Sequence, residues 1–356
     1  MSEYLSNKIR IISFVSIIMV VYLHSYNLAV RFADSTNVAK SMDLNGFIQL
    51  LFSHGVTSIA LPAFSAISGF LFFLNFKPTF NNFITKYKKR VKSLLIPYLF
   101  WSLWGIVLFY ILQSIPHVAK FFTSELVSQY SIGEVINKIF LQPLPYQLWF
   151  LRDLMIVVAI TPILFYAISK FSFYALIPLI LIWLFDINPI IISNRVILFF
   201  SFGALMSIKK IDLSNIVRGL DKGFALLLWV WVGVLGVYVY FASIESSLAL
   251  YMHRVMLILG LFLFWIGYDK VIGRVKNMKR LLFLTKFTFF IFCAHEPIMT
   301  IIKKLLLRWL SVSEAANLTA YIFAPIITIT LVVSVGIFLR TYLNPFFKVI
   351  IGGRGQ

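Results

Sequence analysis

Five polar groupings interrupt an otherwise apolar chain, and each holds residue types that hydrocarbon does not call for. The first is Arg10, Ser13 and His24, in IRIISFVSIIMVVYLHSYN at residues 9–27. An imidazole can take a proton near neutral pH, and a guanidinium can hold an anion. The second is His54 followed by LPAFSAISGF at 61–70, which brings Pro62, Ser65, Ser68 and Gly69 into one stretch. The third is the basic run 86–92, with Lys89, Arg90 and Lys92, leading into Ile96-Pro97-Tyr98. The fourth is LWFLRDL at 148–154, with Trp149, Arg152 and Asp153. The fifth is AHEP at 294–297, where His295 and Glu296 adjoin a proline inside an apolar run.

Each grouping also has a plainer explanation. His24 can simply mark a helix end beside Ser25, Tyr26 and Asn27. Gly69 and the serines allow close helix approach. A basic run beside a membrane meets anionic lipid. Arg152 and Asp153 can anchor an interface beside Trp149, and Glu296 can serve a structural ion pair. Against these stands the cost of ionisable groups in a membrane, where they mark cavities and pathways. Pro162 and Pro297, each in the same run as a charged group, loosen the backbone and point to a water-filled cavity.

The elements that carry these groups are membrane helices. Of 356 residues, 60% are hydrophobic and only 13% charged, against about a quarter charged in soluble domains. Residues 9–27 are long enough to span a bilayer, and their lack of apolar–polar alternation excludes a barrel strand. Along such a helix Arg10 and His24 lie roughly 21 Å apart and on nearly one face. Ten spans are expected, at 9–27, 47–75, 93–115, 147–168, 172–187, 195–208, 223–243, 249–268, 281–302 and 318–340. The expected fold class is therefore all-α, a polytopic helical bundle, with one domain over 1–356 and no fused soluble domain expected.

The net charge of +19 does not indicate nucleic acid, because the basic residues sit in short segments between apolar runs. With the N-terminus in the cytoplasm, the inner segments hold most of them, including Lys86–Lys92, Arg218, Lys222, Arg274, Lys276 and Arg354. Both termini are then cytoplasmic. Lys303, Lys304 and Arg308 fall outside; an amphipathic interfacial helix over 301–310 with snorkelling stems would accommodate them. Residues 116–146 form the longest outer loop. Ile132, Val135, Ile136 and Ile139 recur there at helical spacing, so a surface helix covering part of the bundle is expected. The single cysteine, Cys293, excludes an intramolecular disulfide and a cysteine metal cluster, and is read as a packing residue.

The ordered set resembles the acyltransferase 3 family of integral membrane acyltransferases over nearly the whole length. The parts are a basic residue and histidine in the first helix, SGF in the second, a basic stretch before IPY, then LWFLRDL, then a late AHEP. The resemblance implies transfer of an acyl group, usually acetyl, from cytoplasmic acyl-CoA to a hydroxyl of a surface glycan or its lipid-linked precursor. It implies a catalytic His24. The family's basic partner, eleven positions earlier, falls on Ser13, and Arg10 one turn before is the candidate substitute. The family's two arginines separated by two residues fall on Lys89 and Lys92, with Arg90 between them.

The expected site therefore has His24, Arg152, Asp153, His295 and Glu296 as catalytic residues. Arg10, Ser13, Lys89, Arg90 and Lys92 hold the donor, and His54, Ser68, Gly69, Tyr98 and Trp149 line a pocket. No metal and no cofactor are expected beyond acyl-CoA as co-substrate. The expected partners are acyl-CoA, the glycan or lipid-linked acceptor and membrane lipids, in a multi-pass protein of a bacterial cell membrane. Nothing in the sequence bears on oligomeric state. The rival reading is a transporter or flippase for a lipid-linked sugar. It predicts an internal repeat in many folds, and none is visible.

Overall fold

Long apolar runs broken by prolines dictate the architecture, and the breaks prove as important as the helices. The structure is a computed structural model that describes residues 1–27, 44–119, 125–187, 192–211, 223–272, 275, 277–310 and 313–354. The expected inner-side residues Arg218, Lys222, Arg274 and Lys276 lie outside the described residues.

The helices are α1 (Glu3–Ser25), α2 (Leu44–Phe73), α3 (Phe80–Ser114) and α4 (Ile132–Phe140). They continue with α5 (Trp149–Ala159), α6 (Thr161–Leu184), α7 (Asn194–Ile208) and α8 (Phe224–Ser243). The last four are α9 (Leu248–Val271), α10 (Met278–Trp309), α11 (Glu314–Tyr342) and α12 (Asn344–Ile350). There is no strand among the described residues, as an all-α bundle requires. Among the described residues, eight helices are long and apolar enough to cross a membrane: α1, α2, α3, α6, α8, α9, α10 and α11.

Ten spans were expected, and the difference lies in two places. Residues 147–187 were read as two spans divided near residue 170. The chain instead breaks at Ile160, leaving the 11-residue α5 before the 24-residue α6. Pro162 sits in the first turn of α6, and its missing N–H leaves the Val158 carbonyl without a helical donor. The Thr161 hydroxyl supplies one at 2.7 Å. The second place is α7, whose 15 residues are short for a full crossing.

The chain folds as two compact units. The first comprises Met1–Val20, His54–Lys89 and Asp153–Thr285; the second comprises Val21–Ser53, Arg90–Arg152 and Lys286–Gln356. In the first unit α2 and α7 cross at backbone contact. A Cβ on Gly69 would lie 1.9 Å from the Phe200 carbonyl oxygen, and one on Gly203 would lie 1.8 Å from that of Ala66. Only hydrogen fits, so Gly69 lets the two helices pack at backbone distance. Lys8, buried among Tyr4, Trp265 and Tyr268, pairs with Asp269 at 2.7 Å.

In the second unit α10 packs on α11. The expected surface helix is α4, opened by a reciprocal cap between Ser131 and Glu134. Its apolar face is partly packed: Val135 and Ile139 are half-buried, while Ile132 and Ile136 are exposed. Trp101 donates its indole N–H to the Ile350 carbonyl at 3.0 Å, tying α3 to the chain's end.

Candidate active site

A proline builds the centre of the second unit. Pro297 lies inside α10 and has no N–H for the Cys293 carbonyl four residues back. The residue before a proline avoids helical angles, and Glu296 is extended at φ −106°, ψ 138°. In an apolar interior the freed carbonyl needs a donor. Gln147 provides it: its side-chain amide donates to Cys293 O at 2.9 Å and to Glu296 O at 3.4 Å. Beyond the break, Glu296 caps the second half of α10. Its Oε2 accepts from Thr300 N at 3.2 Å and Thr300 Oγ1 at 2.7 Å.

The other carboxylate oxygen faces a relay. Tyr146 donates its hydroxyl to Glu296 Oε1 at 3.0 Å and lies 2.8 Å from His24 Nδ1. A phenol has one proton. With that proton given to the carboxylate, Nδ1 of His24 must carry the hydrogen that reaches the Tyr146 oxygen. Nε2 of His24 is then left with its lone pair. Burial, and then the Glu296 charge, push the Tyr146 phenol well above its ordinary pKa, so it remains a neutral link.

The backbone of His24 is held separately. Lys303, 7% exposed, donates its ammonium to the carbonyls of His24 at 3.0 Å and Tyr26 at 3.1 Å. A cation belongs at the C-terminus of α1, where carbonyls lack helical donors. Lys303 is therefore not a snorkelling residue. Residues 301–309 continue α10 and do not form a separate interfacial helix. Below His24, Ser25 donates to Tyr321 O at 2.6 Å, and Asn27 donates to Asn317 O at 2.7 Å.

His295 lies beside His24, ring centres 5.3 Å apart. Its Nδ1 is 2.9 Å from Ile291 O, and its Nε2 is buried without a partner. The two imidazoles differ in access. His295 is fully buried, whereas His24 is half-buried beside a Tyr146 that is 45% exposed. His24 is thus the imidazole that a hydroxyl from outside can meet.

Of the expected catalytic residues, His24, His295 and Glu296 come together here. Arg152 also belongs to the second unit, but its Nη1 donates to Leu141 O at 2.5 Å. Asp153 belongs to the first unit, where it accepts from Ser193 N at 2.8 Å, just before α7. Its observed bond is that of a helix-terminus acceptor. Among the expected donor-binding residues, Arg10, Lys89 and Lys92 are exposed, Ser13 is half-buried, and Arg90 turns partly inward.

The residues expected to line a pocket lie in both units: His54, Ser68 and Gly69 in the first, Tyr98 and Trp149 in the second. Tyr98 is buried, and its hydroxyl donates to Phe140 O at 2.9 Å, so it is a core residue of the second unit. Trp149 stands edge-on to Phe150. Ser68 is half-buried on α2. His54 lies in the first unit, where His253 hydrogen-bonds its backbone. In the same unit Arg254 pairs with Asp186 at 3.3 Å.

Sequence reasoning missed Tyr146, Gln147, Thr300 and Lys303. The signal for Gln147 was available, since Pro297 demands a replacement donor inside an apolar span. Nothing in the sequence aims Tyr146 at two residues 122 and 150 positions away.

Comparisons with known proteins place the chain in a family. The acyltransferase 3 family, described as an acyltransferase domain, matches residues 8–339. The succinoglycan biosynthesis protein ExoH of Rhizobium meliloti (strain 1021) is 24% identical over 317 residues, covering 86% of this chain and 82% of that protein. No solved structure matches. The histidine on the first helix and the broken late helix thus stand in a multi-pass membrane acyltransferase, and the chain belongs to the acyltransferase 3 family.

Proposed function

We propose that this protein moves an acyl group, acetyl in the simplest case, from cytoplasmic acyl-CoA to a hydroxyl of a cell-surface glycan or its lipid-linked precursor. The single observation that carries the mechanism is the chain His24–Tyr146–Glu296. The acceptor hydroxyl gives its proton to His24 Nε2 while its oxygen attacks the thioester carbonyl. The tetrahedral intermediate collapses, the carbon–sulfur bond breaks, and the imidazolium returns the proton to the departing CoA thiolate. While His24 is charged, its Nδ1–H reaches the Glu296 carboxylate through the Tyr146 hydroxyl. A third group that orients a base and balances its charge serves the same purpose in hydrolytic triads.

Several observations support the setting. Family membership favours acyl transfer over transport. The relative's name places that protein in succinoglycan biosynthesis, which supports a polysaccharide acceptor here. The basic segments support cytoplasmic termini, in a bacterial inner membrane, with Lys89, Arg90 and Lys92 on the donor side. His24 then lies roughly 21 Å along α1 from Arg10, toward the opposite face, where an exported glycan would be met.

The test uses purified protein with labelled acetyl-CoA and succinyl-CoA, which differ by a terminal carboxylate. Transfer or slow thioester hydrolysis is expected with one of them. His24→Gln keeps a polar side chain but offers no base, and should lower the rate by roughly a hundredfold or more. A near-wild-type rate for that variant would remove His24 from the chemistry. Comparing glycan masses with and without the protein identifies the acceptor.

A further inference from the structure

The chain's last described turn carries a cation into the protein. After α12, Gly352 (φ +65°) and Gly353 (φ +72°) reverse the backbone, with Gly352 N bonded to Val349 O at 3.1 Å and Gly353 N to Lys348 O at 2.8 Å. Both are left-handed, where glycine alone carries no steric penalty. Ile350 and Ile351 are buried, and Trp101 holds the Ile350 carbonyl. The turn sits against α3 at Ser93, where a Cβ on Gly352 would come within 2.6 Å of Ser93 Cα. The seat has a sequence cause. Pro97 cannot donate to Ser93 O, and residues Val91–Leu95 widen into a π-helical turn directly after Arg90.

The turn delivers Arg354. Its guanidinium carbon lies 3.8 Å from the Phe289 ring centre, a stacking that fixes the plane and leaves the edges for hydrogen bonds. Its Nη1 is buried with no hydrogen-bond partner. No carboxylate pairs with Arg354 among the described residues. The charged group that acts on it is a second cation, Arg90: burial first, then Arg90, lower its pKa to about 9. A buried guanidinium that no carboxylate pairs with, set beside a second cation, is costly unless an anion joins it. A planar fork with a free edge suits a phosphate oxygen pair. Phe289 lies on α10 six residues before His295, about 9 Å along the helix. Phe289, on which Arg354 stacks, thus lies on the helix of His295, whose ring centre is 5.3 Å from that of the proposed base His24.

We propose that Arg354, carried by the C-terminal turn, joins Arg90 in a phosphate-binding site that takes the phosphate groups of the acyl donor. This rests on the reading of acyl-CoA as donor. Lys89 and Lys92, exposed on the same run, contribute general attraction, while the two arginines supply the directed contacts.

The experiment measures binding of CoA, pantetheine and inorganic pyrophosphate to purified wild type, Arg354→Gln and Arg354→Lys. Pantetheine lacks the nucleotide phosphates. Arg354→Gln should weaken CoA and pyrophosphate about ten- to a hundredfold and leave pantetheine unchanged, with Arg354→Lys in between. Equal CoA affinity in wild type and Arg354→Gln overturns the proposal. A lipid phosphate is the other source. If native mass spectrometry finds that Arg354→Gln loses bound phosphatidylglycerol while CoA affinity is unchanged, the site serves a headgroup and the donor proposal fails. If wild type binds pyrophosphate through Arg354 but no CoA, the donor reading fails and the phosphate site stands. Should Arg354→Gln not fold, hydrogen exchange on wild type decides. CoA and pyrophosphate should slow exchange at Gly352–Arg354 and pantetheine should not; no slowing overturns the proposal.

Discussion

Replacing Tyr146 with phenylalanine removes one oxygen and tests the relay more strictly than replacing the base. That oxygen makes two bonds, 2.8 Å to His24 Nδ1 and 3.0 Å to Glu296 Oε1. The ring stays, so its edge-on contact with His24 at 4.8 Å stays too. Glu296 keeps both bonds from Thr300, so the break in α10 should hold. What is lost is the path by which the carboxylate steadies the imidazolium. A hydrogen bond involving a charged group is worth about 1.5–3 kcal/mol. Each 1.36 kcal/mol or so is a factor of ten in rate, so kcat should fall about ten- to a hundredfold. The donor KM should not move, because Arg90 and Arg354 are untouched. The assay is steady-state transfer from labelled acyl-CoA, with KM and kcat separated. Thermal melting supplies a second readout. Because the phenol's pKa is raised above 10.0 in the folded protein, the stability it contributes is complete below pH 10 and is lost as pH rises above it. Wild type should therefore lose more stability than the phenylalanine variant above pH 10. A Tyr146→Phe enzyme with unchanged kcat would show that His24 works without the relay.

Lys303→Met keeps the stem and removes the charge that holds the His24 and Tyr26 carbonyls. It should cost about 1.5–3 kcal/mol of stability and lower kcat, read by melting and by transfer rate. An unchanged melt would mean that the end of α1 is held without Lys303. Gly69→Ala should destabilise by about 3 kcal/mol, at the upper end of overpacking costs, because the clash is with backbone that cannot rotate away. A melt within experimental error of wild type would refute the close crossing of α2 and α7. Gln147→Leu strands the Cys293 carbonyl beside Pro297 and should cost about 1–3 kcal/mol, with a loss of activity no smaller than the loss in Tyr146→Phe. Full activity in that variant would show that the broken segment of α10 is held by other means.

The membrane fold was legible because its cause is local. Twenty apolar residues must be helical in hydrocarbon wherever they sit in the chain, and α1, α8, α9 and α11 fall where apolar runs predict. The division near residue 160 was not legible, because an apolar run reads the same on either side of a break. Pro162 lies near it, but a proline does not say whether its helix kinks or ends. Lys303 was misread for a related reason. A lysine near a helix end snorkels by default, and only the approach of the α1 carbonyls, 279 positions away in sequence, makes burial favourable.

The site was legible in its titratable members and hidden in its connections. His24, His295 and Glu296 stood out because ionisable groups in apolar runs need a reason. Arg152 and Asp153 stood out by the same criterion, yet each is bound to backbone, Arg152 to a loop carbonyl and Asp153 to the N–H before α7. Charge in an apolar run thus picks out residues that sequence does not separate: side chains that gather around Tyr146, and side chains that bond backbone where helices stop. The prolines separate them better. Pro97, Pro162 and Pro297 each free a carbonyl four residues back, and each gap is treated differently. Thr161 covers the Val158 carbonyl from the adjacent position. At Ser93 the C-terminal turn packs against the widened helix. At Cys293 a side chain from residue 147 arrives, and its neighbour Tyr146 is brought to His24 by the same short segment. The demand for a donor at Pro297 therefore positions Gln147, and the relay follows from the residue beside it.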